Sequence, residues 1–291
     1  MSLHILITVP FVKIVGLIFL VSGLFGNLFN ITIFIKNSIN NSSTYLLFLS
    51  SLFSLIYLLD GLFTRILSVG FNIDPTRTNL IWCKTRTYIG QTTSLISLTC
   101  ICYALLDQLF LSCQKQKYRR LSQLKRTKFI TLIIILFWFI YHLPFYILAQ
   151  HVNNGNNTFI CNIYAIYEFN KYFSYIHQPI IAGIIPILFI IITGTLMYQN
   201  ISLLRKNRRR DRAQRNLTTM IVAQTIFIII QSVPYGFYSM YLSISSYENK
   251  SIYRQDMESV ILNLISSVTY RQQTKQLLIK IFTHHINTII S

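Results

Sequence analysis

Apolar and polar residues along this chain are segregated into blocks. Nearly uncharged runs of about twenty residues, the length a helix needs to cross a hydrocarbon core, alternate with short polar or basic connections. Six such runs cover residues 11–35, 45–69, 84–110, 129–150, 175–198 and 217–241. A seventh, 259–270, has only twelve residues. As a helix it would reach about 18 Å, against a core about 30 Å thick. Residues 271–283 then read as an amphipathic tail. Leu277, Leu278, Ile281 and Phe282 can share an apolar face there, with Lys275 and Lys280 reaching toward lipid headgroups. The pattern predicts an all-α, multi-span membrane helical bundle forming a single domain over 1–291, with 1–10 as a short outer terminus.

Composition agrees with that pattern. Of 291 residues, 53% are hydrophobic and only 12% charged, about half the charged share of a soluble domain. The first ten residues contain no Lys or Arg, and the first apolar run is span-length. A cleavable signal peptide is therefore not expected, and the first helix would serve as its own insertion signal.

The net charge of +18 invites a nucleic-acid reading, which its distribution opposes. Seven Lys/Arg lie between Lys115 and Lys128 without an acid, and seven more between Arg205 and Arg215 with Asp211 the only acid. Both clusters fall in short connections between apolar runs, where the positive-inside rule places them. They are expected to touch anionic lipid and a cytosolic partner, with no nucleic acid involved.

No enzyme is legible. The acids are few and scattered, and no metal-ligand spacing, phosphate-binding glycine loop or nucleophile–base arrangement accompanies them. No cofactor is implied. The five cysteines do not form a disulfide framework. Cys100 and Cys102 read as small buried apolar residues, and Cys113 falls just inside the cytoplasmic face. Cys83 and Cys161 face the oxidising side.

The third run carries the most specific signal. It opens on Trp82-Cys83 and ends at a lone acid, Asp107. An acid at a helix C-terminus opposes the helix dipole, and within the membrane boundary it needs a partner. Asp107 follows Cys83 by 24 residues, a spacing that resembles the third helix of rhodopsin-like G-protein-coupled receptors. In that family the cysteine pairs with the second extracellular loop, and an Asp-Arg-Tyr triplet closes the helix. Here the triplet reads Asp107-Gln108-Leu109. The resemblance implies a Cys83–Cys161 disulfide that pins the second outer loop over the bundle.

Other residues extend the resemblance in chain order. Gly26-Asn27 resembles the first helix of the family, where the asparagine bonds to neighbouring helices. Trp138 matches the tryptophan of helix four, Pro186 the proline of helix five and Pro234 the kink of helix six. The departures are equally specific. Ser232 replaces the aromatic two residues before Pro234, and Ser54 stands where the family holds a sodium-binding acid. Gly90 takes the place of the amine-binding aspartate, which argues against a monoamine. The Asn-Pro-x-x-Tyr motif and a retinal-bearing lysine are missing from 259–270. The pattern is similar to that of invertebrate neuropeptide receptors, with a truncated seventh helix. A wrong exon boundary and a genuine degenerate receptor both fit the truncation.

The resemblance implies a multi-pass receptor of the plasma membrane. A small-molecule or peptide ligand, such as a neuropeptide, would bind at an outer cavity, and a heterotrimeric G protein would meet the basic inner loops. Gln91, Tyr175, His177, Tyr235 and Tyr238 are the cavity candidates, Asp107, Gln108 and Pro234 the activation residues, and Asn156 the glycosylation acceptor. Asp60 and Arg65 form a rim pair or face the cavity. Gln108 cannot make the ion pair of the family's arginine, so weak, constitutive and absent coupling all fit. Two alternatives stand beside the receptor: a non-signalling six-span pseudo-receptor, and a small transporter or channel subunit.

Overall fold

The computed structural model describes residues 3–36, 41–113, 115–153, 159–162, 167–204 and 241. Runs six and seven (Tyr241 aside), the tail, Asn156, Pro234, Tyr235 and Tyr238 lie outside the described residues, as does the basic stretch 205–215. Five helices dominate the rest. α1 spans Leu3–Lys36, starting well before the expected residue 11. α2 begins as Ser42–Leu58 and continues through two π-helical turns, Leu59–Phe63 and Ile66–Gly70. α3 is Leu80–Ser112. α4 comprises Leu124–Tyr141 and Leu143–Leu148, and α5 runs through Tyr167–Tyr172, Phe173–Ile184 and Ile185–Leu204.

Local chemistry sets these boundaries. After Gly70 the chain turns through Asn72 at φ 57°, a left-handed conformation that asparagine tolerates better than most residues. Asp74 caps the short helix Pro75–Thr78, accepting from Thr76 N at 3.1 Å. The proline at its first turn has no N–H to lose. Asn79 then caps α3, its Oδ1 accepting from Ile81 N at 2.9 Å and Trp82 N at 3.2 Å. In α4 the regular ladder is interrupted at His142, just before Pro144, whose ring removes a backbone donor.

The expected fourth run to residue 150 stops short. Its last residue instead opens a strand: β1 (Gln150–Asn153) pairs antiparallel with β2 (Phe159–Asn162), His151 opposite Cys161. The helix-five run also differs. It extends from residue 167 to 204, and its π-helical middle contains Pro179. Pro186 falls directly after that segment, at the second residue of Ile185–Leu204, so the irregular hydrogen bonding precedes it.

Five helical stretches are long and apolar enough to cross a membrane: Gly16–Ile35, Ser42–Ser68, Leu80–Ser112, Leu124–Leu148 and Phe173–Met197. α3 is the axis. Of its apolar window 61% is buried, against 22% for α4, and it packs on α2, α4, α5 and β1. The outward faces carry Phe25, Phe129 and Ile140, suited to lipid. Since lipid is as apolar as leucine, close packing and interhelical hydrogen bonds must hold the helices together. A Cβ at Gly23 would lie 3.0 Å from Leu58, so the glycine lets α1 and α2 approach. Phe34, Leu46, Leu47, Ala104, Leu105 and Ile190 form a core joining α1, α2, α3 and α5.

Candidate functional site at the two ends of the central helix

α3 is pinned at both ends. At the outer end Cys83, fully buried, is disulfide-bonded to Cys161 with a Cα–Cα distance of 5.7 Å. The bond draws the β1–β2 hairpin onto the bundle. His151 of β1 adds a second anchor, its Nε2 lying 2.7 Å from Thr76 O in the loop before α3. Below the hairpin, Phe145, Ala149 and Phe173 pack around Cys83 with Cys161 and Phe169.

At the inner end, Asp107 and Gln108 are each only 2% exposed. The Ser43 hydroxyl donates to Asp107 Oδ2 and accepts from Gln108 Nε2 at 2.7 Å. One serine at the start of α2 therefore bonds to both residues. Ser42 Oγ donates to Ser122 O at 3.3 Å, drawing the basic loop against the same corner. Gln108 Oε1 is buried and has no partner among the described residues. On the α5 side, Asn200 Nδ2 donates to Ser112 Oγ at 3.4 Å. Lys115, Lys117, Arg119, Arg120, Lys125, Arg126 and Lys128 are all exposed around this end.

Between the ends, hydroxyls stitch α2 to α3. Ser97 Oγ lies 2.7 Å from Ser54 Oγ and 3.1 Å from Ser50 Oγ, and donates to Ser50 O at 3.1 Å. Each interhelical bond of this kind contributes on average about 0.6 kcal/mol in a membrane protein. Trp138, 8% exposed, lies at the α3–α4 interface and donates from Nε1 to Thr99 Oγ1 at 3.2 Å. Asn27 behaves otherwise than the resemblance implies. Its Nδ2 donates to Gly23 O of its own helix at 3.0 Å, and no bond to another helix is seen among the described residues.

One cavity candidate is enclosed by aromatic rings. His177 is fully buried between α4 and α5, its ring stacked on Phe173 at 5.2 Å and on Tyr141 at 5.8 Å. Tyr141 OH lies 3.2 Å from His177 Nδ1 and is also hydrogen-bonded to Tyr172 OH. His142 completes the cluster, its Nδ1 2.9 Å from Trp138 O and its ring 5.4 Å from that of His177. The imidazole thus packs among the aromatic rings of α4 and α5. Gln91 and Tyr175 remain half-buried.

Ser43 was not among the candidates read from sequence. The only trace of it is the polar Ser42-Ser43-Thr44 opening of an otherwise apolar helix. Its partners are 64 and 65 residues away, beyond any local pattern.

No curated protein matches this sequence significantly. Residues 26–271 match the family described as 7 transmembrane receptor (rhodopsin family), a stretch that includes both anchors of α3 but only residues 26–36 of α1. By that match the chain belongs to the rhodopsin family of seven-transmembrane receptors.

Proposed function

We propose that this receptor acts at the plasma membrane, taking a peptide ligand at its outer face and coupling to a heterotrimeric G protein at its inner face. The observation that carries the reading is the Asp107–Ser43–Gln108 clasp. It ties the inner end of α3 to α2, beside a loop rich in Lys and Arg and without an acid. A family member with arginine at the Gln108 position would hold a charge there. Here a neutral amide is directed at Ser43, with its carbonyl oxygen left as a buried acceptor. Breaking the clasp would free the Nε2 of Gln108 for a new acceptor, either on a neighbouring helix or on the G protein.

The mechanism is a two-state one: ligand binding beneath the hairpin shifts the bundle toward the conformation in which the inner end opens. The basic loop 115–128 would then face an acidic or phosphate-bearing surface. In this reading Asp107, Gln108 and Pro234 serve activation and coupling, Asn27, Trp138 and Pro186 packing, and Gln91, Tyr175, Tyr235 and Tyr238 the ligand cavity. Asn156 carries glycan on the outer side.

The test is G-protein dissociation, measured by energy transfer in cells expressing the full chain, with and without a library of amidated peptides. The expected result is a basal or peptide-evoked signal that Gln108→Arg increases and Asp107→Ala alters. Silence from the chain and from Gln108→Arg alike, with surface expression intact, would leave the non-signalling pseudo-receptor as the better reading.

A further inference from the structure

The outer half of α2 contains an acid that nothing above employs. Asp60 lies within the membrane-spanning stretch Ser42–Ser68 and is half-buried. Among the described residues the ion pair seen is Arg77 with Asp74, and the hydrogen bonds seen there do not include one to the Asp60 carboxylate. A carboxylate held in an apolar bundle without a partner is costly.

Its position is specific. A Cβ built at Gly90 of α3 would lie 2.7 Å from Asp60 Oδ2. The carboxylate therefore rests against bare backbone on α3, in space that any side chain at position 90 would claim. The glycine creates the notch, and α2 supplies the acid that fills it.

The backbone of α2 is adapted to this arrangement. Its regular hydrogen bonding gives way to a π-helical turn at Leu59–Phe63, centred on the acid. π turns insert an extra residue and recur where a helix must re-aim a side chain. The Thr64 hydroxyl donates to the backbone carbonyls of Asp60 and Gly61, satisfying groups that the widened turn loosens.

Arg86, one helical turn from Gly90 toward the outer end of α3, is a cation whose field reaches Asp60. It does not close to an ion pair. The acid thus has a cation nearby and no ion pair among the described residues. An ammonium group has the compactness and the three donors such a site requires.

We propose that Asp60, seated in the Gly90 notch, is the site where this receptor binds a protonated amine of its ligand. The proposal deepens the receptor reading and rests on it. Glycine at position 90, which by sequence alone argues against an amine ligand, is offset here by an acid delivered from the neighbouring helix. A protonated amine can belong to a small molecule or to a peptide N-terminus.

The test measures thiol reactivity, which requires no signalling and so remains informative if coupling fails. Gly90→Cys is made in the full chain and displayed on intact cells, with the unsubstituted chain as background for Cys100, Cys102 and Cys113. Two impermeant methanethiosulfonates are compared, ethyltrimethylammonium and ethylsulfonate. The cationic reagent should react about tenfold faster than the anionic one, since a unit charge within a few ångströms shifts opposite reagents in opposite directions. Asp60→Asn should remove most of that preference, and Arg86→Gln should increase it.

If Gly90→Cys fails to reach the surface, Gln91→Cys serves as the reporter in the same comparison. Protection is then tested with tyramine and N-acetyltyramine, and with amidated pentapeptides bearing free or acetylated N-termini. Protection by tyramine but not its acetyl derivative supports a small amine; protection by free but not acetylated peptides supports a peptide terminus. A charge preference unchanged by Asp60→Asn, or no protection by any amine, overturns the proposal.

Discussion

Gln108 Nε2 donates to Ser43 Oγ at 2.7 Å, and the same hydroxyl donates to Asp107. Adjacent residues of α3 therefore share one serine of α2. Each of the three side chains is almost fully buried, so removal of the hydroxyl strands the Gln108 amide and takes one bond from Asp107, which keeps Ser122 and the Ser43 backbone as partners. The cost of an unsatisfied buried group is about 1–3 kcal/mol. Ser43→Ala should accordingly lower the thermal unfolding midpoint of the detergent-purified receptor by several degrees, and Ser43→Thr, which retains the hydroxyl, should do much less. Basal G-protein activation should rise in Ser43→Ala as α3 loses its tie. An unfolding midpoint equal to that of the parent chain would mean that the clasp is not a stabilising contact.

The disulfide makes a prediction that can be read from a gel. Five cysteines are present; Cys83 and Cys161 are bonded, and Cys100, Cys102 and Cys113 are free. Denatured without reductant, the chain should take up three maleimide–polyethylene glycol tags, and five after reduction. Cys161→Ser should raise the unreduced number by one, from the freed Cys83. Loss of the cross-link should also cost about 2–4 kcal/mol of stability. Five tags before reduction would show that the hairpin is held by His151 and packing alone.

His177 tests whether the α4–α5 aromatic cluster is packing or ligand contact. Its ring stacks on Phe173 and Tyr141, and its Nε2 is buried with no partner among the described residues. Replacing such a group by an apolar one of similar shape is close to neutral or stabilising. His177→Phe should therefore keep or raise the unfolding midpoint and leave ligand potency unchanged. His177→Ala, which opens a cavity, should destabilise by about 2–4 kcal/mol. A large loss of potency in His177→Phe at normal expression would restore the residue to the ligand site.

How much was legible in the sequence depended on the range of each interaction. The spans follow from block hydropathy, because lipid imposes the same requirement on every residue of a run. Cys83 and Asp107 could be found because both sit on one helix, where spacing along the chain is spacing in space. Ser43 could not, since its partners lie on another helix. The expected fourth run reaches the first residue of β1 because Leu148-Ala149 carries the apolar pattern up to Gln150 without a break. What ends the helix is pairing with Phe159–Asn162 and the bond to Cys83. The π-helical turns around Asp60 are choices of hydrogen-bond register that composition does not encode. His177 drew attention as a polar residue among aromatics near an outer helix end, and the same pattern describes a buried ring stack.

The last prediction concerns where the chain finishes. Residues 242–258 contain three acids, Glu248, Asp256 and Glu258, against Lys250 and Arg254, whereas 271–283 contain Arg271, Lys275 and Lys280 and no acid. The stretch between them, 259–270, is short for a hydrocarbon core. A short span is tolerated by local thinning of the bilayer and by flanking residues that reach the interface, at a fraction of a kcal/mol per ångström. Tyr270 and Arg271 are suited to that role. Positive charge beyond the stretch favours a crossing that ends inside, and the family match extends through residue 271. Epitope tags on both ends should therefore show the N-terminus accessible on intact cells and the C-terminus only after permeabilisation. Adding four leucines within 259–270 should leave that pattern unchanged and increase surface yield, by relieving the mismatch. If both ends are accessible on intact cells, the chain makes six crossings in total, and an inner face built from helices three, five, six and seven does not exist in this chain. The transcript encoding 259–271 would then be the place to look for a missing segment.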